Sequence, residues 1–488
     1  MTNEFLLLGL LYGRLNEPES AAAPASPASA EPAPTPPEQA DRAPSEDVPD
    51  EVPAPEGTAT VETVATASAP TPAPSPAAKI TGVAPSEAPA KAHDPNKDPT
   101  DVETTRYVPG KGFELATKDG RFSMQLRARV QIRYDLDHPN REGETTEQTM
   151  QIRRARLQLQ GNLFGKHNRY YIQLGFSPRD QTGGLLAEEG SIRRNPIRDA
   201  RVEFDYLRDF TIWAGQMKIP FSRQRVISSG NLNLVDRSLP NEEFQLDRDI
   251  GIQALSKDVG GMGWLAYNAG VFMGEGRNAF EPSNLGMLYV ARVEFLPFGK
   301  FDDYTEGDLE RMKKPGLSIG GAYAFHDRAP GDRSIHGSVP EDGGTTDIHS
   351  VTADVMFKWH GVSLHSNFHW RKGVHRENGG LLDEEGNAIP TALPRNGLGW
   401  FGQLGWLVPK IPFEVVARYG FARKRGGNDS ALPWRDELGG GVNYYFAGHN
   451  LKLQLDYFRL WGADTGADVV AAMKHGTDRI RLQLQMAF

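Results

Sequence analysis

Between Phe122 and Asp135 the chain alternates without a break. Phe122, Met124, Leu126, Ala128, Val130, Ile132 and Tyr134 share one side, and Ser123, Gln125, Arg127, Arg129, Gln131, Arg133 and Asp135 share the other. A period of two belongs to a β-strand, not a helix. A strand this long, apolar on one face and carrying Arg and Gln on the other, fits lipid outside and water inside better than a soluble sheet packed on a core. The end of the chain repeats the pattern: Ile480, Leu482, Leu484, Met486 and Phe488 alternate with Arg479, Arg481, Gln483, Gln485 and Ala487.

Fourteen further candidate strands lie between these two, among them 168–176, 198–206, 209–219, 264–273, 361–371, 398–408, 435–446 and 450–461. The even total predicts an all-β fold, a transmembrane antiparallel β-barrel of 16 strands. The connections alternate between short ones, such as Leu207 to Asp209 and His360-Gly361, and long ones, such as 177–196, 220–249, 327–347 and 372–397. Short periplasmic turns and long outer loops are what a barrel of this class requires. One connection, Pro297 to Gly316, falls on the short side yet is long. Trp264, Trp359, Trp370, Trp400, Trp406, Tyr444, Tyr445 and Trp461 crowd strand ends, as an interfacial aromatic belt would.

Composition divides the chain. Residues 15–105 are rich in Pro, Ala, Ser, Thr and acids and are expected to form a disordered linker, because they cannot bury enough apolar area to offset chain entropy. The first 100 residues hold 15 acidic against 5 basic side chains, leaving 49 basic and 48 acidic for the rest, so the formal charge of -9 says nothing about the barrel. Cysteine is absent, which excludes a disulfide scaffold, thiolate metal sites and cysteine nucleophiles. Residues 1–14 contain the apolar run Phe5 to Gly13, too short for a membrane helix and of the length of a signal-peptide apolar region, though no Lys or Arg precedes it. The barrel is assigned to residues 112–488, in the bacterial outer membrane and in contact with its lipid, with the N-terminal segment on the periplasmic side.

Four motifs occur in order: Gly112-Phe113-Glu114-Leu115, Ile152-Arg153-Arg154-Ala155-Arg156-Leu157, Gly215-Gln216-Met217-Lys218-Ile219-Pro220-Phe221, and Arg248-Asp249-Ile250-Gly251. Together with the terminal Phe488 they make residues 112–488 resemble the phosphate-selective porin O/P family. The resemblance implies a sixteen-stranded, homotrimeric anion channel for phosphate or pyrophosphate, with a loop, here Phe221 to Asp247, folded inward to narrow the pore. It also implies that the outer-membrane assembly machinery reads Phe488. The anion-binding residues it carries over are Arg153, Arg154, Asp199, Arg225, Ser228 and Ser229.

Arginine suits such a site, because its planar fork holds two phosphate oxygens at once and stays charged at any workable pH. Arg127, Arg129, Arg133, Arg156, Arg201, Arg237 and Arg248 are further pore-lining candidates, with Arg479 and Arg481 also inward. Strict alternation turns only one of Arg153 and Arg154 inward, and the phase shift between Ile152 and Ala155 points to a bulge that turns both. The other reading of these residues is a wall of cross-strand ion pairs, with Arg201, Glu203 and Asp205 as its clearest members. One departure stands out: the loop 327–347, where phosphate-selective members carry an arginine run, holds only Arg328 and Arg333 among five acids. Weak selectivity is therefore as compatible as phosphate preference.

His365 and His369 share a polar strand face but have no third ligand nearby in sequence, so no metal site is assigned. No cofactor is called for. The chain shows no nucleophile elbow, no phosphate-cradling Gly-rich loop before a helix and no basic nucleic-acid patch, so it reads as a channel and not an enzyme. A rim-active outer-membrane hydrolase is the alternative from another class.

Overall fold

The computed structural model describes residues 102–108, 110–181, 195–279, 286–378, 383, 385–387, 389, 391–426, 429–462 and 469–488. The apolar run of residues 1–14 and all of the linker up to residue 101 lie outside these. The first strands, β1 (Val102–Val108) and β2 (Gly112–Thr117), form a hairpin. The last residues assigned to the linker from sequence, 102–105, are therefore paired strand.

Sixteen strands among the described residues make the barrel. They are β3 (Ser123–Pro139), β4 (Glu147–Asn162), β5 (Asn168–Gly175), β6 (Ile197–Leu207), β7 (Phe210–Lys218), β8 (Arg248–Ser256), β9 (Leu265–Phe272) and β10 (Leu288–Phe295). The second half comprises β11 (Gly316–Ala329), β12 (Thr345–Trp359), β13 (Val362–Arg376), β14 (Gly397–Leu407), β15 (Phe413–Lys424), β16 (Arg435–Ala447), β17 (Leu451–Trp461) and β18 (Thr477–Ala487). Each pairs antiparallel with the next, and β18 closes onto β3 with Gln485 opposite Gln131. The hairpin strand β2 continues that seam, pairing with β3 at Phe113 and Leu126 just beyond the C-terminus.

Closure matters because lipid offers no partner for a backbone amide, and a sheet without edges leaves none unpaired. The two faces are inverted relative to a soluble protein. On β17, Lys452, Gln454 and Asp456 are at most 1% exposed, while Leu453, Leu455 and Tyr457 are 38–47% exposed. The apolar side chains face out to lipid and the polar ones face a lumen.

Exposed Phe164, Tyr206, Phe210, Trp264, Trp359, Trp406, Tyr444 and Phe446 gather at the short-turn end, where their rings suit the lipid headgroup level. Two members of the belt read from sequence belong elsewhere. Tyr445 and Trp461 are buried, and the Tyr445 hydroxyl donates to Glu414 Oε2 at 2.5 Å. Alternation puts Tyr445 on the face opposite Tyr444, so only one of that pair can meet lipid.

The connection between β7 and β8, residues 219–247, folds into the barrel. It carries two short helices, α1 (Arg223–Val226) and α2 (Leu239–Phe244), the second capped by Ser238 Oγ accepting from Asn241 N at 3.3 Å. Ile227 and Leu232 pack with Met356, Leu234 with Val416 and Phe458, and Phe244 with Ala422 and Leu432. The loop thus lies against the wall built by β12 to β17.

The long connection on the short-turn side also folds inward. Its Glu306 is buried, accepting from Asn233 N and Gln403 Nε2, each at 3.0 Å. Arg223, fully buried, joins the inserts to each other and to the wall, donating to Asp303 at 2.6 Å, Asp354 at 2.5 Å and Ser318 at 2.8 Å. One side of the lumen is therefore filled by protein. The free volume runs along β3 to β9, and its outer part also borders β16 to β18.

Candidate functional site

The phase shift between Ile152 and Ala155 is a bulge. Gln131 pairs with Arg154 and Ile132 with Ile152, so Arg153 is the extra residue on β4. Ile152 stays on the lipid face, while Arg153 and Arg154 both reach Asp236 in the inward loop at 3.4 Å. Arg133 on the neighbouring strand reaches the same carboxylate at 3.0 Å. Burial alone would raise the pKa of Asp236, but Arg154, Arg153 and Arg133 together hold it well below the usual carboxylate range.

A second carboxylate does the same. Asp247 accepts from Arg225 Nε at 2.8 Å and from Arg248 Nη1 at 3.0 Å, with Arg198 at 4.0 Å. A third, Asp180 in the connection after β5, accepts two bonds from Arg156 at 2.8 Å each and one from Arg198 at 2.9 Å. These three acids were missed in the sequence. Two of them sit in Asp-Arg dipeptides, Asp236-Arg237 and Asp247-Arg248, and the third follows Arg179.

The free volume is a series of chambers. An outer cavity of about 840 Å³ is separated from a middle one of about 490 Å³ by residues that line both, including Arg153, Arg154, Arg225 and Arg237. The middle one is separated from a lower cavity of about 640 Å³ by Arg156, Lys218 and Arg248. Ten basic side chains line the middle chamber against two carboxylates, Asp180 and Asp247. The lining thus carries an excess of basic groups, whose field a low-dielectric wall would concentrate.

The six residues assigned as one binding site divide between two chambers. Arg153, Arg154 and Arg225 border the middle chamber. Asp199, Ser228 and Ser229 border the lower one. Asp199 is wholly engaged by Arg248, whose Nε and Nη2 reach it at 3.0–3.1 Å. The serines receive arginines: Arg129 donates to Ser228 Oγ at 3.1 Å and to Ser229 Oγ at 3.0 Å, and Arg156 to Ser229 Oγ at 3.2 Å.

Among the pore-lining candidates, Arg237 is tied to the carbonyls of Gln224 and Ile227 at 2.8 and 2.7 Å, which holds the loop's curve. Arg201 pairs with Glu203 at 2.8 Å, and Arg169 reaches both Glu203 and Asp205, so the wall network exists beside the chambers. Arg127 donates to Gly110 O at 2.6 Å, in the turn between β1 and β2.

Arg481 pairs with Asp456 at 2.8 Å and borders the outer cavity, as does Arg479. Nearby, the loop carboxylate Glu243 collects Arg371, Arg395, Arg435 and Arg333 at 2.6–3.6 Å. Of these, Arg333 comes from the loop 327–347, while Arg371 sits on β13, Arg395 in the connection after it and Arg435 on β16. His365 Nδ1 lies 3.1 Å from the accepting Glu306 Oε1, and His369 stacks on Phe244. No group of three metal-binding side chains converges among the described residues.

Residues 124–304 match the family described as phosphate-selective porin O and P. The resemblance to the porin O and P family is shown over this stretch, which runs from β3 through the inward loop to the start of the second insert and so builds the arginine chambers. An uncharacterized protein of Aquifex aeolicus (strain VF5) is 25% identical over 278 residues, covering 52% of this chain and 61% of that relative's length. Among solved structures, outer-membrane expressed OmpT of Vibrio cholerae is similar at 10% identity, covering 76% of this chain and 100% of its own, with a TM-score of 0.44. The outer membrane channel DcaP of Acinetobacter baumannii is similar at 11% identity, covering 76% and 99%, with a TM-score of 0.46. The closed barrel with its apolar outer face, together with the porin match, supports an outer-membrane channel.

Proposed function

We propose that this chain is a channel for passive diffusion of anions, phosphate or pyrophosphate-like solutes foremost, through a constriction lined by arginine. The observation that carries the reading is the middle chamber, with ten basic side chains against two carboxylates. An ion entering it loses part of its hydration shell, and fixed guanidinium donors replace that shell. Arg153, Arg154 and Arg225 are assigned to direct anion contact. Asp199, Ser228 and Ser229 hold Arg248, Arg129 and Arg156 in place.

We further assign a homotrimer, by resemblance to the family, with the Pro/Ala-rich segment in the periplasm. Recognition of Phe488 by the assembly machinery fits its position, since its N–H and carbonyl bond to Ala128 at the seam. A weakly selective pore is the second reading. It is favoured by Asp236 and Asp247, which already satisfy several of the arginines.

The test is the reversal potential of the purified protein in a planar bilayer under a KCl gradient, followed by titration of phosphate and pyrophosphate as blockers. Anion selectivity, with block weakened at least tenfold in Arg154→Ala and Arg225→Ala, supports the assignment. Cation selectivity overturns it while leaving the barrel intact, and an absence of conductance moves the rim-hydrolase alternative ahead.

A further inference from the structure

The lower chamber differs in character from the one above it. On the barrel wall the Arg201 guanidinium is held between two rings, 4.2 Å from the centre of Tyr171 and 4.0 Å from that of Trp213. Lys257 adds a second cation 5.9 Å from the Trp213 ring. Facing them from the second insert are Phe301 and Tyr304, whose hydroxyl is fixed by donating to Glu294 at 2.5 Å. Leu255 and Leu296 also line the chamber. Arg156, Lys218 and Arg248, which the chamber shares with the constriction, form a basic roof in which Arg248 is paired with Asp199.

A small hydrated ion such as phosphate gains from that roof and nothing from the rings below it. A solute with a carboxylate at one end and a flat apolar body at the other gains from both. Its charge stays on the roof while its body displaces water from Trp213, Phe301 and Leu255. At about 640 Å³ the space is of the size that holds a small organic ligand. A guanidinium between aromatic planes also offers a flat, weakly hydrated surface on which another ring stacks.

We propose that the lower chamber is a binding site for aromatic carboxylates, making them a further solute class of the channel; the inference rests on the anion-channel reading above. The test uses the full chain in planar bilayers, with benzoate and acetate compared as blockers of the chloride current. The two carry the same charge and differ only in body. Benzoate is expected to reach half-block at a concentration at least tenfold below acetate, and Trp213→Ala and Phe301→Ala are each expected to cut that ratio at least threefold.

Folding of each variant is checked by the shift in gel mobility on heating. An anion-selective channel in which the two blockers act at equal concentration overturns this inference and leaves the proposed function standing. A benzoate preference that survives both variants also overturns it, because the preference then arises elsewhere. A cation-selective channel overturns both readings.

Discussion

If the channel works as proposed, Asp236 sets how much positive charge the constriction shows to a passing ion. It accepts from Arg133, Arg153 and Arg154, which would otherwise repel one another across a narrow space. Removing its charge while keeping its shape leaves three guanidiniums with unused donors. Asp236→Asn is therefore expected to raise the anion-to-cation permeability ratio severalfold and to tighten phosphate block, as read from reversal potentials and current block. An unchanged ratio would mean that the ion path bypasses this triad. Glu243 tests a structural role at the same scale. Burial alone would raise its pKa, but Arg395, Arg371 and Arg333 bring it down to about 2 from the ordinary 4.5. A carboxyl whose folded pKa is depressed stabilises the fold above its unfolded value, and that contribution fades as pH falls from about 4.5 to about 2. The thermal unfolding midpoint should fall across that window, and Glu243→Gln should be less stable at neutral pH and flatter in its acid dependence. A variant that tracks the parent protein at every pH would show that the four arginines stabilise nothing through Glu243.

The bulge on β4 is an element whose function can be separated from its fold. Arg153 is the unpaired extra residue, so its deletion restores plain alternation with Ile152 still outward and Arg154 still inward. The barrel is expected to fold, with its heat-shifted gel mobility kept, while phosphate block weakens for want of one arginine. Deleting Leu157 instead throws the rest of the strand out of phase and should prevent folding, so the pair of deletions distinguishes a bulge from a tolerant strand. The bulge was legible in the sequence because a period of two makes any extra residue show as a phase error. The sixteen strands were legible for the same reason, and so was the inward loop, through its resemblance. The hairpin β1 and β2 was not. Pairing of residues 102–108 depends on a free stretch of β3 beyond the C-terminus, which is a property of the closed barrel and not of those residues. The partners of the arginines were hidden likewise. Asp180, Asp236 and Asp247 lie in connections without periodicity, and only the folded loops bring them to the strands.

At the scale of the whole barrel, the lumen is filled on one side and open on the other. The inward loop packs its apolar side chains on β12 to β17, and the second insert braces it from below through Arg223, Asp303 and Glu306. On the proposed reading the ion path is thereby pressed against β3 to β9, with β16 to β18 bordering its outer part. This asymmetry ties selectivity to the filling: a wide central pore would let ions pass more than a Debye length, about 8 Å at physiological salt, from the charged wall. Replacing residues 301–312 with a short turn removes the brace and the aromatic face of the lower chamber together. It also leaves Arg223 without Asp303, a loss softened because Asp354 stays in contact. Single-channel conductance is expected to rise severalfold, and anion selectivity to fall, as water enters the space the insert held. Conductance that stays at the level of the parent channel would show that the inward loop fills that side unaided, and would move the narrowing of the path from the pair of inserts to that loop alone.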